Sequence, residues 1–389
     1  MVSIDENTMI KLVRSTTVPI TLNSFCKGFL KELQEECGYE VLAVSSHGED
    51  LDEIKEREGI RIIGVDMERH ISPIKDLKSL YNMWKVIRKE KPDIVHSMTP
   101  KAGLITMVAS WLARVPVRIH TFTGLVFPTS SGLKRHILMF TDRLTCACAT
   151  HIIPEGEGVK SDLLNNHITK KEIRVLGHGN IRGIDLNYYN PELFIKNKSD
   201  DYFTFVLVGR IVGDKGINEL IDAFIILNDE YPQTKLILVG PEEPLLDPLR
   251  SDTEAIINSH PSINTVGPQE DVRPFYAEAD ALVFPSYREG FPNVVIEAGA
   301  MGLPSIVTDI NGSREIIIEG ENGTIIPSKD TDALYKAMKR FVENPEDVLR
   351  MAKNARPLIA SRYEQSYVRN CLKDFYNEVL LEKGLIKNV

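Results

Sequence analysis

The sequence predicts an α/β protein made of two doubly wound, Rossmann-like halves. Three observations carry that reading. The chain has 389 residues, more than one ordinary core holds and suited to two. Short β-capable runs alternate with longer helical stretches throughout, the pattern of parallel sheets with helices on both faces. The alternation pauses between Gly183 and Ser199, where Asn190-Pro191 and the polar run Lys196 to Asp201 mark a boundary. It then restarts with the β-rich run Phe203 to Val208. The expected domains are therefore 1–182 and 183–363.

Composition narrows the function classes. Apolar residues make up 43% of the chain and charged residues 26%, as in soluble globular proteins. A formal net charge of −9 argues against general nucleic-acid binding. The five cysteines are odd in number, and Cys146 and Cys148 flank one alanine, a spacing that suits neither a zinc ribbon nor a redox motif. Buried free thiols in a reducing compartment are expected. The first residues do not read as a signal peptide and no apolar run reaches membrane-spanning length. The expectation is a cytoplasmic protein, with room for peripheral contact at the inner membrane face.

In the first half, strands are expected at Met9 to Ser15, Val41 to Ser45, Arg61 to Val65, Asp93 to His96, Val117 to Thr121, Ile152-Ile153 and Arg174 to Leu176. A loop from Thr16 to Ser24 leads to a helix over Phe25 to Glu36. Asp50 and Asp52 form a D-x-D pair, a spacing that can hold a metal, but they stand where a helix begins and acids are favoured. Leu77 to Lys89 reads as a basic amphipathic helix with Leu77, Leu80, Tyr81, Trp84 and Ile87 on one side. Such a helix packs on a core or lies on an anionic membrane. Gly132 to Thr150 reads as a helix with Leu133, Ile137, Phe140, Leu144 and Cys148 spaced to pack inward.

The second half opens with Phe203 to Val208 and a glycine-rich turn carrying Arg210 and Lys215, which suits an anion. Its central stretch runs from Ala281 to Asp309. A buried-strand run, Ala281 to Pro285, is followed by a polar loop to Gly290. A helix then carries proline in its first turn and Gly302 with Pro304 at its end. Glu289 sits in the loop and Glu297 eight residues on in the helix. Loops at the carboxyl ends of parallel strands bind ligands, and helix N-termini suit phosphates. Carboxylates accept hydrogen bonds from hydroxyls. The combination points to a ligand bearing both phosphate and hydroxyl groups. For two isolated glutamates, a solvated loop acid and a first-turn helix acid are the plainer alternative.

The stretch EGFPNVVIE, 289–297, resembles the E-x7-E signature of the family 4 glycosyltransferases, retaining enzymes of the GT-B fold. The likeness recurs at VGRIVGDKG, 208–216, at HSMTPKAGL, 96–104, and in the order of elements over nearly the whole chain. It implies two Rossmann-like domains facing a central cleft, with a final helix, 364–389, returning to the first. It also implies that Glu289 contacts the donor sugar and Glu297 the nucleotide ribose, while Arg210 and Lys215 hold the diphosphate. Gly290, Phe291, Pro292 and Asn293 would line the donor site. In many members a histidine in a T-F-H-G pattern contacts the donor. Here HTFTG places Thr123 at that position, with His120 three residues earlier on the opposite face of a strand. His120 is therefore expected to be structural. The glycine-rich loop after the first strand is replaced by Thr16-Thr17-Val18-Pro19.

The expected activity is transfer of a hexose or N-acetylhexosamine from a nucleotide-sugar donor, a UDP-sugar, with no metal or other cofactor. The first half resembles enzymes that extend capsular or lipid-linked glycans, so the expected acceptor is such a glycan, including one on undecaprenyl diphosphate. Two alternatives share the fold: a non-hydrolysing UDP-sugar epimerase, disfavoured by the 208–216 and 289–297 motifs, and an inactive partner subunit, which would not need Arg210, Lys215, Glu289 and Glu297 together.

Overall fold

A computed structural model describes residues 9–68, 70, 72–194, 202–243, 245 and 247–387. The polar run expected at the boundary, Lys196 to Asp201, lies outside the described residues. The chain divides into two compact units, 1–182 with 366–389, and 183–365.

The first unit contains β1 (Lys11–Ser15), α1 (Pro19–Cys26), α2 (Phe29–Glu35), β2 (Glu40–Ser45), α3 (Glu49–Glu58), β3 (Arg61–Gly64), α4 (Pro73–Glu90) and β4 (Ile94–Met98). It continues with α5 (Pro100–Leu112), β5 (Val117–Phe122), α6 (Gly132–Cys148), β6 (His151–Pro154) and α7 (Glu157–Asn165). The six strands are parallel in the order β3-β2-β1-β4-β5-β6. Alternation along each strand sends neighbours to opposite faces. Leu12, Ile94 and Ile119 therefore join one core, and Val13, Leu42 and Val95 another.

The second unit holds β7 (Phe203–Val208), α8 (Ile217–Glu230), β8 (Thr234–Val239), α9 (Ser251–Ser259), β9 (Ile263–Gly267), α10 (Arg273–Glu278), β10 (Ala281–Phe284) and α11 (Asn293–Ala300). It ends with β11 (Ser305–Thr308), α12 (Ser313–Ile316), β12 (Gly323–Ile326), α13 (Thr331–Glu343) and α14 (Pro345–Tyr363). Its parallel sheet runs β12-β11-β10-β7-β8-β9, the same winding as the first. Phe205, Leu207 and Val283 pack with α8 and α13 on one face, and Val206, Leu282 and Phe284 with α11 and α14 on the other.

The last helix, α15 (Gln365–Glu382), belongs almost wholly to the first unit, where Leu372, Phe375, Tyr376, Val379 and Leu380 enter the core. Tyr376 receives a 2.9 Å hydrogen bond from Arg14 and lies 2.6 Å from His96 Nδ1.

Four local expectations need correction. Helix starts at Pro19, not beyond Ser24, and breaks at Gly28, whose φ of +75° interrupts the run to Glu35. Arg174 to Leu176 forms no strand; only Ile173 makes an isolated bridge to Ile152. On α4 the core face is Ser79, Met83, Ile87 and Glu90, whereas Leu77 and Tyr81 are exposed. On α6 Cys148 is buried, but Leu133 is 76% and Phe140 64% exposed, with Ile137 and Leu144 also exposed. Both helices have the expected periodicity; periodicity defines a stripe and does not supply a surface to cover it.

Candidate active site

Both sheets reverse their winding between two neighbouring strands, which opens a crevice at the strands' carboxyl ends. In the second unit those strands are β7 and β10. The chain leaves β7 through Gly209-Arg210 and reaches Lys215 just before α8. It leaves β10 through Pro285 and Ser286 to Glu289. The topology therefore puts the two motif loops side by side.

Lys215 and Glu289 form a direct ion pair through Nζ and Oε1, and both side chains are largely shielded from solvent. Ser286 Oγ donates to the same carboxylate oxygen at 2.9 Å. Arg210 is more open; its Nη1 meets Glu243 Oε2 at 2.7 Å and its Nη2 lies 3.8 Å from Asp214 Oδ1. Arg288 reaches Asp214 Oδ2 at 3.2 Å. Backbone bonds tie the loops: Tyr287 N donates to Asp214 O at 2.9 Å, and Asp214 N to Asp247 Oδ2 at 2.6 Å. The result is a patch of alternating charge in which each cation already faces a carboxylate.

Two glycines make this geometry accessible. Gly216 has φ +71°, and a Cβ there would stand 2.2 Å from Pro285 O. Gly312 has φ +74°, and a Cβ would stand 2.6 Å from Gly290 O and 2.7 Å from Phe291 Cα. Both positions combine left-handed backbone with close approach, conditions only glycine meets without strain.

Glu297 is buried in the second turn of α11, and Tyr276 OH lies 3.4 Å from its Oε2. It is not the first-turn acid of the plainer alternative, since the first turn of α11 holds no acidic residue. Pro292 precedes the helix as its N-cap, so Asn293 is the first helical residue. The Phe291 ring is buried against Tyr363, at 5.6 Å between centroids, leaving its backbone and that of Gly290 to the loop. Arg210, Lys215, Glu289, Gly290, Phe291, Pro292, Asn293 and Glu297 thus share the second unit. Thr123 lies in the first, one residue beyond β5.

His120 is buried, with Nδ1 2.8 Å from Ser97 Oγ and its ring edge-on to Phe122. Burial drives its pKa down to about 3, so it stays neutral. Asp50 and Asp52 lie in the first turn of α3. Among the described residues no three His, Cys, Asp or Glu side chains converge as a metal cage. Ser286, Asp214 and Glu243 were not singled out from sequence. Asp214 lay inside the 208–216 motif and Ser286 three residues before Glu289; Glu243 had no local signal, being brought in by the turn after β8.

Two family profiles match the chain: "Glycosyl transferase 4-like domain" over residues 26–179 and "Glycosyl transferases group 1" over 190–357. The capsular polysaccharide biosynthesis glycosyltransferase CapM of Staphylococcus aureus is 33% identical over 349 residues, covering 88% of this chain and 91% of that protein. The chain belongs to the GT-B glycosyltransferases. This glycosyltransferase is also 28% identical over 330 residues to the UDP-Gal:alpha-D-GlcNAc-diphosphoundecaprenol alpha-1,3-galactosyltransferase of Escherichia coli, covering 81% of this chain and 83% of that one. Among solved structures, Anabaena Alr3699/HepE in complex with UDP superposes with a TM-score of 0.76 at 16% identity, covering 95% of this chain and 100% of that one. At that identity the likeness is one of fold.

Proposed function

We propose that the second unit binds a UDP-sugar and that the enzyme transfers its hexose or N-acetylhexosamine, with retention of anomeric configuration, to a lipid-linked or capsular glycan. The observation that carries this reading is the meeting of Arg210, Lys215 and Glu289 at the sheet's switch point. Relatives named for capsule synthesis and for a diphosphoundecaprenol-linked acceptor support the acceptor class.

In the proposed reaction the bond from anomeric carbon to β-phosphate oxygen breaks, and UDP leaves with both electrons. The acceptor hydroxyl oxygen bonds to the same face of that carbon, and its proton passes to the departing phosphate oxygen. The catalytic demand is compensation of the charge developing on the diphosphate. Lys215 and Arg210 supply it, aided by the dipole at the start of α11. The diphosphate competes with Glu289 for Lys215, which frees the carboxylate to accept sugar hydroxyls. Glu297 accepts from the ribose, and Gly290 to Asn293 shape the loop around the donor. This scheme uses side-chain cations in place of a metal ion and needs no protein nucleophile. No described helix is long and apolar enough to cross a membrane. The lipid-linked acceptor in this reading is met peripherally, at the cytoplasmic membrane face.

The test is a transfer assay with UDP-sugars, with the product's anomeric configuration read by NMR. The expected product is retained, turnover persists with a chelator present, and Glu289→Ala lowers kcat by roughly 100-fold or more. An inverted product, or full activity in the Glu289→Ala variant, would overturn the assignment.

A further inference from the structure

Arg14 is only 3% exposed. Alternation along β1 sends its side chain to the face where Leu12 packs, into the core shared with α1 and α15. A guanidinium carries five N–H donors and keeps its charge at any ordinary pH. Nη1 of Arg14 meets His96 Nδ1 and, at 2.9 Å, Tyr376 OH. Nη2 reaches only sulfur, Met98 Sδ at 3.0 Å and Cys26 Sγ at 3.4 Å. Nε is buried with no hydrogen-bond partner. Among the described residues, the groups facing this cation include no carboxylate. His96 is held neutral, by burial first and by Arg14 itself second.

A small cavity adjoins Arg14. His96, Thr121 and Asn180 line it with the arginine, and Ile153 and Leu372 stand among its apolar lining. All of these residues belong to the first unit. The centre of a water-sized particle has about 10 Å³ to move in there, which is room for one such particle. Phosphate, sulfate and nucleotides are too large. Both ring nitrogens of His96 are engaged, Nδ1 with Arg14 and Tyr376, and Nε2 with Thr121 Oγ1 at 2.7 Å. The imidazole therefore offers the cavity no open acceptor, and Arg14 Nε–H is a donor in need of one.

A buried charge is costly unless it is paired, and a buried donor unless it is satisfied. A water in this cavity would answer the second demand and leave the first. A monatomic anion answers both, and the rest of its surface can lie against aliphatic side chains. We propose that the cavity binds one monovalent, monatomic anion of the chloride class as the counter-ion of Arg14. The anion accepts from Arg14 Nε–H and neutralises the charge around which β1, β4, α1 and α15 meet. The site stands apart from Arg210 and Lys215, which belong to the second unit, and does not depend on the donor or the acceptor reading.

The experiment uses the full chain, as wild type, as Arg14→Met and as Arg210→Ala/Lys215→Ala. Thermal melting is followed at fixed pH and ionic strength while potassium gluconate is replaced by potassium chloride. Gluconate is too large for the cavity, so ionic strength alone contributes no difference. Wild type should gain about 3 °C or more on going to about 0.2 M chloride, by mass action on the folded state. Arg14→Met puts an apolar side chain of similar length in place of the charge, and its midpoint should ignore chloride. Arg210→Ala/Lys215→Ala should keep the wild-type gain, which separates this site from the cations of the second unit. Wild-type crystals grown in bromide should show an anomalous peak within hydrogen-bond reach of Arg14 Nε. A cavity without that peak would overturn the proposal, and this arm decides it even if Arg14→Met fails to fold. A wild-type midpoint indifferent to chloride, a gain retained in Arg14→Met, or a gain lost with Arg210 and Lys215 would overturn it as well.

Discussion

Glu289 and Lys215 stand 74 positions apart in sequence and touch in the fold. Each lay in a motif of its own, so their identities were legible; that they pair was not, because the pairing depends on β7 and β10 being neighbours. Lys215→Ala should lower kcat/KM by about 10²–10³ if the lysine offsets charge on the leaving diphosphate, read from steady-state transfer. Loss confined to KM would assign it to ground-state binding alone. A different residue shows what a sequence conceals. Asp142 is buried in α6, and burial lifts its pKa to about 7. The folded value lies above the ordinary one near 3.9, so the unfolded chain releases this proton first. Stability from this group therefore falls as pH rises from about 4 to about 7 and stays lower beyond. Asp142→Asn should melt above wild type at pH 8, by roughly 2–4 °C per kcal/mol regained, with the gap closing toward pH 4. A gap independent of pH would contradict that account.

Elements were legible where local pattern decides them. Strand–helix alternation located most strands, and proline with glycine located several helix ends. The α4 and α6 faces were misread because burial is a property of neighbours, which no single helix encodes. The corrected faces can be compared by urea unfolding. Leu133→Ser with Phe140→Ser should change stability by within about 0.5 kcal/mol, as at exposed sites. Met83→Ala, on the true core face of α4, should cost about 2–5 kcal/mol. Equal losses would mean that the α6 stripe is covered after all. Gly216 belongs to this scale too, since it lets the 208–216 turn pass under Pro285 O. Gly216→Ala should weaken donor binding as well as stability, because the loop carrying Lys215 must move.

At the scale of the molecule, two sheets with the same winding repeat one solution, and each carries loops at its switch point. That repetition follows from alternation and length, and the chain's own sequence shows both. The terminal helix is a longer-range feature: α15 enters the first unit's core and brings Tyr376 to Arg14 and His96. Arg14 is fully buried, and burial together with this cation keeps His96 neutral. Tyr376→Phe should destabilise the protein by about 1–3 kcal/mol by removing a partner from a buried charge.

The most direct test of the donor site is calorimetric titration of UDP into wild type and into Arg210→Ala/Lys215→Ala, with a chelator present. The account predicts metal-independent binding to wild type and at least tenfold weaker binding to the variant. Equal affinity in the two proteins, or binding to wild type only after a divalent cation is restored, would contradict it.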